Sequence, residues 1–171
     1  MAITESTATS FSAMVTISNM TEHDLLEVVE IEERSNLSPW GWAAYYAELQ
    51  GNNRRLMLVA RVARPLEQPK TDHIAGYIVA RIAAGELHIN NVAVRREYRR
   101  QGIGGDLLSR VLQEGRDLDA SAAFLEVRAG NSRAKALYKK CGLLAVGRRP
   151  NYYSGPVEDA VIMSVALQRN A

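Results

Sequence analysis

A glycine cluster in mid-chain, Gly102-Ile103-Gly104-Gly105, does most to restrict the fold. It stands between a strand pattern, Leu87 to Val94, and a helical stripe of Ile103, Leu107, Leu108, Val111 and Leu112. A helix entered this way has unpaired N–H groups in its first turn and the positive end of its dipole behind them. Glycine lets an anion approach such a main chain with no Cβ in the way. Arg99 and Arg100 add charge beside it. The run Arg99-Arg100-Gln101-Gly102-Ile103-Gly104-Gly105 is therefore a candidate pyrophosphate cradle. Two other phosphate motifs do not fit. A Walker loop requires Gly-Lys-Ser/Thr, and a dinucleotide fingerprint requires Gly-x-Gly-x-x-Gly after the first strand of a βαβ unit. This loop has neither and follows a hairpin.

The other patterns alternate strand and helix. Met14 to Ser18 reads as a strand, and Thr21 caps a helix bearing Leu25, Val28, Val29 and Glu32. Ser38-Pro39 opens a second helix, through Trp42, Tyr45, Tyr46 and Leu49 to Gly51. Arg55 to Val62 and Ile74 to Ile82 are strands. The second turns at Ala84-Gly85 into Leu87 to Val94. Ala122 to Val127 reads as a buried strand, apolar apart from Glu126. Asn131 starts a helix with Ala134, Leu137, Tyr138 and Cys141 on one stripe, ending at Gly142. Leu143 to Val146 and Ala160 to Leu167 close the chain as strands. This order predicts an α/β protein with a mixed sheet, in one domain. Residues 1–13, rich in Ser, Thr and Ala, are expected to be a disordered tail rather than a secretory signal, with the domain spanning 14–171.

Composition narrows the function classes. With 47% hydrophobic and 23% charged residues the chain is not of the disordered kind. It has no apolar run of about 18 residues, the length a membrane helix needs. A net charge of +2 points neither to nucleic acid nor to a membrane surface. Arg95, Arg96, Arg99 and Arg100 lack the aromatic-basic interleave of an RNA-binding face. One cysteine, Cys141, and the scattered His23, His73 and His88 give no internal disulfide and no zinc cage, so no metal is expected. A reduced, cytoplasmic compartment is the expectation.

Arg99-x-x-Gly102-x-Gly104 fits the Arg/Gln-x-x-Gly-x-Gly/Ala signature of the GNAT acyltransferases, and the chain resembles that superfamily from about residue 14 to 168. The closest resemblance is to the ribosomal-protein alanine N-acetyltransferase (RimI) group. It is carried by Asn91-Val92-Ala93-Val94, Tyr98 to Gly104, Leu125-Glu126-Val127-Arg128, Asn131, Ala136-Leu137-Tyr138, Gly142, Arg148-Arg149-x-x-Tyr152-Tyr153 and Glu158-Asp159-Ala160-x-x-Met163. Pro39-Trp40 and Glu48-Leu49 add to it upstream. Gly105, Leu143, the long Arg64–Asp72 connection and Pro150 depart from the pattern. The resemblance implies a GNAT fold, with a mixed, mostly antiparallel central sheet flanked by helices. It also implies acetyl-CoA as co-substrate.

Acetyl transfer to an amine requires an amine base, oxyanion stabilisation and a way to tolerate the leaving thiolate. Glu126 is the candidate base, since a carboxyl inside an apolar strand is partly desolvated. From spacing alone it reads equally well as a strand-end partner of Arg128. Tyr138 is the candidate acid; periodicity alone would make it a packing residue, and the resemblance gives it the catalytic role. Asn131 is a helix cap by its own chemistry. The resemblance adds a contact to the acetyl-CoA arm, and has the backbone of Val92, Ala93 and Val94 meet the thioester and pantetheine, with an irregular strand as the structural trace. It places Trp40, Tyr152 and Tyr153, in loop or helix-start contexts, beside the groove for a peptide terminus. Cys141 reads as a buried helix-end thiol.

The expected reaction is acetyl transfer to the α-amine of a protein N-terminus, alanine on a small-subunit ribosomal protein, by a monomer or weak dimer. An α-amine near pKa ~8 costs roughly 3 kcal/mol less to deprotonate at pH 7 than a lysine near ~10.4. A GNAT acting on a small-molecule amine or a lysine side chain, and a non-catalytic CoA- or nucleotide-binding module, are the alternatives.

Overall fold

The computed structural model describes residues 14–35, 37–52, 54–63 and 73–167. The expected tail at 1–13 and the connection Arg64–Asp72 lie outside the described residues. The strands are β1 (Val15–Asn19), β2 (Arg55–Val62), β3 (His73–Ala83), β4 (Glu86–Val94), β5 (Ala122–Arg128), β6 (Leu144–Ser154) and β7 (Val157–Ala166). The helices are α1 (Leu25–Glu33), α2 (Gly41–Leu49), α3 (Ile103–Asp117) and α4 (Ser132–Lys140), with short 3-10 turns at Glu22–Asp24 and Arg96–Tyr98. The strands form one sheet in the order β1-β2-β3-β4-β5-β7-β6. Every neighbouring pair is antiparallel except β4 with β5. This is the mixed, mostly antiparallel α/β architecture expected.

Amphipathic stripes fix the layers. On α3, Ile103, Leu107, Leu108, Val111 and Leu112 are buried against Leu58, Ala80, Leu87 and Leu125. On the opposite side, Leu25, Val28 and Ile31 of α1 pack with Tyr45 of α2 against Met57, Val59, Tyr77 and Val79. Each such side chain contributes roughly 1.5–3 kcal/mol of burial free energy. Arg95, itself buried, pins α1 to the end of the sheet: its guanidinium donates to the Ile74 carbonyl at 2.7 Å and pairs with Glu27 and Glu30 at 3.0 Å. The β3–β4 hairpin closes through Ala84 and Gly85, both at positive φ, as a two-residue turn matched to strand twist requires.

Three expectations are corrected. The second helix starts at Gly41, not at Pro39, because its first N–H groups are met by a carboxylate from α1 rather than by Ser38. β6 is an 11-residue strand rather than the four residues of Leu143–Val146, and it carries Tyr152 and Tyr153 within a strand. It is the sheet's edge, almost wholly exposed, so no apolar alternation marks it. Pro150 is tolerated because the register shifts between Arg149 and Tyr153, where the proline has no ladder partner. Finally, β5 alternates: Ala123, Leu125 and Val127 are buried, while Phe124, Glu126 and Arg128 are only partly covered. Its second face is therefore open rather than sealed.

Candidate active site

The site forms where the sheet divides. β4 and β5 pair in parallel from Glu86↔Ala122 to Ile89↔Leu125 and no further, although β4 runs on to Val94 and β5 to Arg128. A bulge inserts Asn90 into β4 at the point of separation, opposite Val79 and Ala80. This is the expected irregularity, just ahead of Val92, Ala93 and Val94. The side chains of those three pack into the two cores, so only their main chain faces the gap. Glu126 is one residue past the last β4–β5 pair.

The glycine loop lies at the far end of β4. Gly102 has φ +85°, a left-handed conformation that glycine adopts without strain, and open space where a Cβ would be. No side chain caps α3. Its first main-chain bond is Asp106 N–H to the Gly102 carbonyl at 2.9 Å, which leaves the N–H groups of Ile103, Gly104 and Gly105 unused. A phosphate could be held there. Not all of the motif faces an anion. The Ile103 side chain is in the core. A Cβ on Gly104 would stand 3.1 Å from Leu137 of α4, and one on Gly105 would stand 3.7 Å away. Helix packing is therefore tight at Gly104 but not at Gly105, where a Cβ would make ordinary contact, and any contact to an anion comes from their N–H groups. Arg99 Nε donates to the Val94 carbonyl at 2.9 Å and Gln101 to the Glu97 carbonyl at 3.3 Å, bracing the loop. Arg100 is exposed at φ +64°. Beside the loop a cavity of ≈ 390 Å³ is lined by Arg34, Arg95, Arg96 and Arg99 among others.

The proposed base, the proposed acid and Tyr153 come from β5, α4 and β6. The Glu126 side chain is 31% exposed and its carboxylate lies 3.6 Å from Arg149 of β6. Arg128 does not pair with it. That guanidinium is engaged by Glu158 at 3.2 Å and lies over the Tyr153 ring at 4.3 Å. Tyr138, on α4, is only 7% exposed. Burial, and then the neighbouring Tyr153, push its phenol well above the ordinary tyrosine value, so it keeps its proton. Its hydroxyl has no protein hydrogen bond among the described residues, yet it is not sealed from solvent. Tyr153 is pushed up to about 12, first by burial and then by Tyr152 and Glu126. Tyr153 thus stands electrostatically between Tyr138 and Glu126.

The remaining site residues divide into two groups. Asn131 caps α4, its Oδ1 accepting the Ala134 N–H at 3.1 Å while its Nδ2 stays free to donate. Tyr152 and Tyr153 meet edge to face at 5.1 Å. Trp40 stays apart from them, packed on Tyr45 with ring centroids 5.4 Å apart. Glu158 and Asp159 are already engaged. The first accepts the Gly130 N–H at 2.6 Å, and the second accepts the Asn151 N–H at 2.9 Å and Arg148 at 2.7 Å. Glu158 ties β7 to the end of β5, and Asp159 secures the β6–β7 hairpin, rather than standing free for a ligand. Burial raises the Cys141 thiol, as suits a packed helix end.

Comparison with known proteins agrees with this arrangement. The Acetyltransferase (GNAT) family pattern matches residues 25–143. The chain belongs to the GNAT family. A Bacillus subtilis protein, provisionally named a ribosomal protein bS18-alanine N-acetyltransferase, is 37% identical over 151 residues, covering 88% of this chain and 95% of its own. The ribosomal protein bS18-alanine N-acetyltransferase of Salmonella typhimurium is 30% identical over 156 residues, covering 90% and 99%. The crystal structure of the Escherichia coli ribosomal-protein-S18-alanine N-acetyltransferase matches with a TM-score of 0.76 at 29% identity, over 92% of this chain and 97% of that one. In this GNAT chain no helix among the described residues is long and apolar enough to cross a membrane.

One residue escaped the sequence reading of the site. Glu32 sits at a stripe position on α1, deep beneath Trp40, and its signal was a carboxylate where the spacing calls for an apolar side chain.

Proposed function

We propose that this chain transfers the acetyl group of acetyl-CoA to the α-amine of a protein N-terminus, the alanine of ribosomal protein bS18, acting in the cytoplasm as a monomer or weak dimer. The observation that carries the reading is the gap between β4 and β5, with Glu126 one residue past their last pair. The names of the relatives support the acceptor.

Acetyl-CoA, when bound, supplies an activated thioester, and the residues present fit it. The uncapped α3 N-terminus with Gly102 suits its pyrophosphate, the β5-facing main-chain edge of Val92 to Val94 its pantetheine and thioester oxygen, and Asn131 Nδ2 its arm. Glu126 takes the proton from the acceptor ammonium, directly or through a water. Approach of that ammonium competes with Arg149 for the carboxylate. Tyr138, kept protonated by burial, donates to the departing sulfur. Trp40, Tyr152 and Tyr153 border the entry of the peptide from two sides.

The deciding experiment incubates the enzyme and acetyl-CoA with an Ala-starting bS18 peptide, its N-formylated form and a free polyamine, read by mass spectrometry. Acetylation of the free Ala peptide alone is expected. Turnover of the polyamine without the peptide moves the reading to a small-molecule amine acceptor.

A further inference from the structure

Below Trp40 lies a buried polar cluster that the transfer chemistry does not use. Glu32 is 1% exposed. Its carboxylate is held by neutral donors: Trp40 N–H at 2.9 Å, Gly41 N–H at 3.0 Å, Tyr45 Oη at 2.7 Å and, more loosely, Asn91 Nδ2 at 3.5 Å. Tyr45 Oη also accepts from Asn91 Nδ2 at 2.9 Å and lies 2.8 Å from Tyr77 Oη. A phenol has one proton. Tyr45 gives its proton to the carboxylate, so Tyr77 must donate to Tyr45. Every proton in the cluster points toward Glu32.

Burying a carboxylate is costly, and the N–H groups at the N-terminus of α2, with the helix dipole, offset that cost. An apolar side chain at this position of the stripe would leave those donors without an acceptor. What the anion adds is direction. Through Trp40 and Gly41 it fixes where α2 begins, and with Tyr45 it fixes Asn91, one residue past the Asn90 bulge where β4 leaves β5.

We propose that Glu32 is a positioning residue for acetyl transfer: one buried carboxylate sets both Trp40, on the acceptor side, and Asn91, at the opening of the β4–β5 gap. The proposal rests on the reading of those two places given above. It gives the α1–α2 connection a part in peptide affinity although Glu32 itself reaches no substrate.

Trp40 and Trp42 are the chain's two tryptophans, so a Trp42→Phe background leaves Trp40 as the sole tryptophan, read by excitation at the red edge where tyrosine does not absorb. Glu32→Gln puts an amide NH₂ where an oxygen met a main-chain N–H, leaving Trp40 or Gly41 without an acceptor. Acrylamide quenching of Trp40 should rise about twofold or more, and the peptide KM about three- to tenfold, as loss of one such bond predicts. Turnover at saturation should stay within about twofold, while the acetyl-CoA KM should rise about two- to threefold through Asn91. A role in stability alone would lower the melting temperature and leave quenching and KM unmoved. Tyr45→Phe, which keeps the ring, removes the main acceptor of Asn91 and should raise the acetyl-CoA KM about threefold. If Glu32→Gln does not fold, that variant decides. Wild-type quenching and KM values in the folded variants overturn the proposal. Quenching needs no turnover, so a wild-type enzyme that ignores the Ala peptide counts against the proposed acceptor and leaves this test standing.

Discussion

Replacing Tyr138 by phenylalanine separates what the hydroxyl does for the fold from what it does for the reaction. The ring stays buried in the core cluster that includes α3, and no protein hydrogen bond is lost. A fully sealed, unpartnered hydroxyl costs ~1–3 kcal/mol; this one keeps some contact with solvent, so its removal should stabilise by no more than ~1 kcal/mol. For a chain of this length that is a rise in melting temperature of about 0–4 °C. The rate moves the other way. A positioned acid contributes ~10²- to 10⁴-fold, which at 1.36 kcal/mol per decade is about 3–5 kcal/mol of barrier. Urea unfolding followed by circular dichroism measures the first effect. Release of the CoA thiol, followed with a chromogenic disulfide, measures the second, with acetyl-CoA affinity unchanged by calorimetry. A folded variant that is clearly less stable than wild type, or that keeps its turnover, refutes the assignment.

Gly104→Val should destabilise by ~1–3 kcal/mol through overpacking, since a Cβ already stands 3.1 Å from Leu137 and 3.6 Å from Val94; a thermal melt reads this directly. Burial opposes the charge of Asp24, but hydrogen bonds from Arg61 and Thr21 outweigh it and hold the carboxyl below its ordinary value. That stability is fully present above the unfolded value near pH ~4 and is lost as pH falls through the lower folded value. Asp24→Asn should therefore cost ~1–3 kcal/mol at pH 7, and the gap to wild type should narrow in urea titrations on acidification below pH ~4. Glu126→Gln should reduce turnover most at low pH, where the acceptor amine is most protonated; a pH–rate profile parallel to wild type would count against Glu126 as the base.

The β4–loop–α3 unit was legible because its signals are local: an apolar strand, positive-φ glycine and a strong stripe adjoin in sequence. The β3–β4 hairpin was legible for the same reason. β6 was not, because an exposed edge strand is held by its ladder to β7 and leaves no hydrophobic period to read. The packing need of Gly104 was hidden by distance, since Leu137 is far along the chain. Glu126 could be picked out as a lone carboxyl in β5, but its pairing with Arg149 depended on a strand whose length was misread. Tyr153 as the link between Tyr138 and Glu126 required three elements to be placed at once.

The short β4–β5 ladder has a consequence for how this protein can vary. Between Asn90 and Val94 the gap offers peptide groups, which every residue possesses, while the side chains of Val92, Ala93 and Val94 pack into the cores. Recognition written in main-chain atoms is blind to most substitutions. What limits change at these positions is the volume that the cores behind them accept. Drift in the packing can therefore proceed with the acetyl donor's berth intact, whereas the acceptor side, built from Trp40, Tyr152 and Tyr153, is rewritten by each exchange of a ring. Two substrates meeting at one gap are thus exposed to mutation very unequally, and new acceptors should arise more readily than new donors.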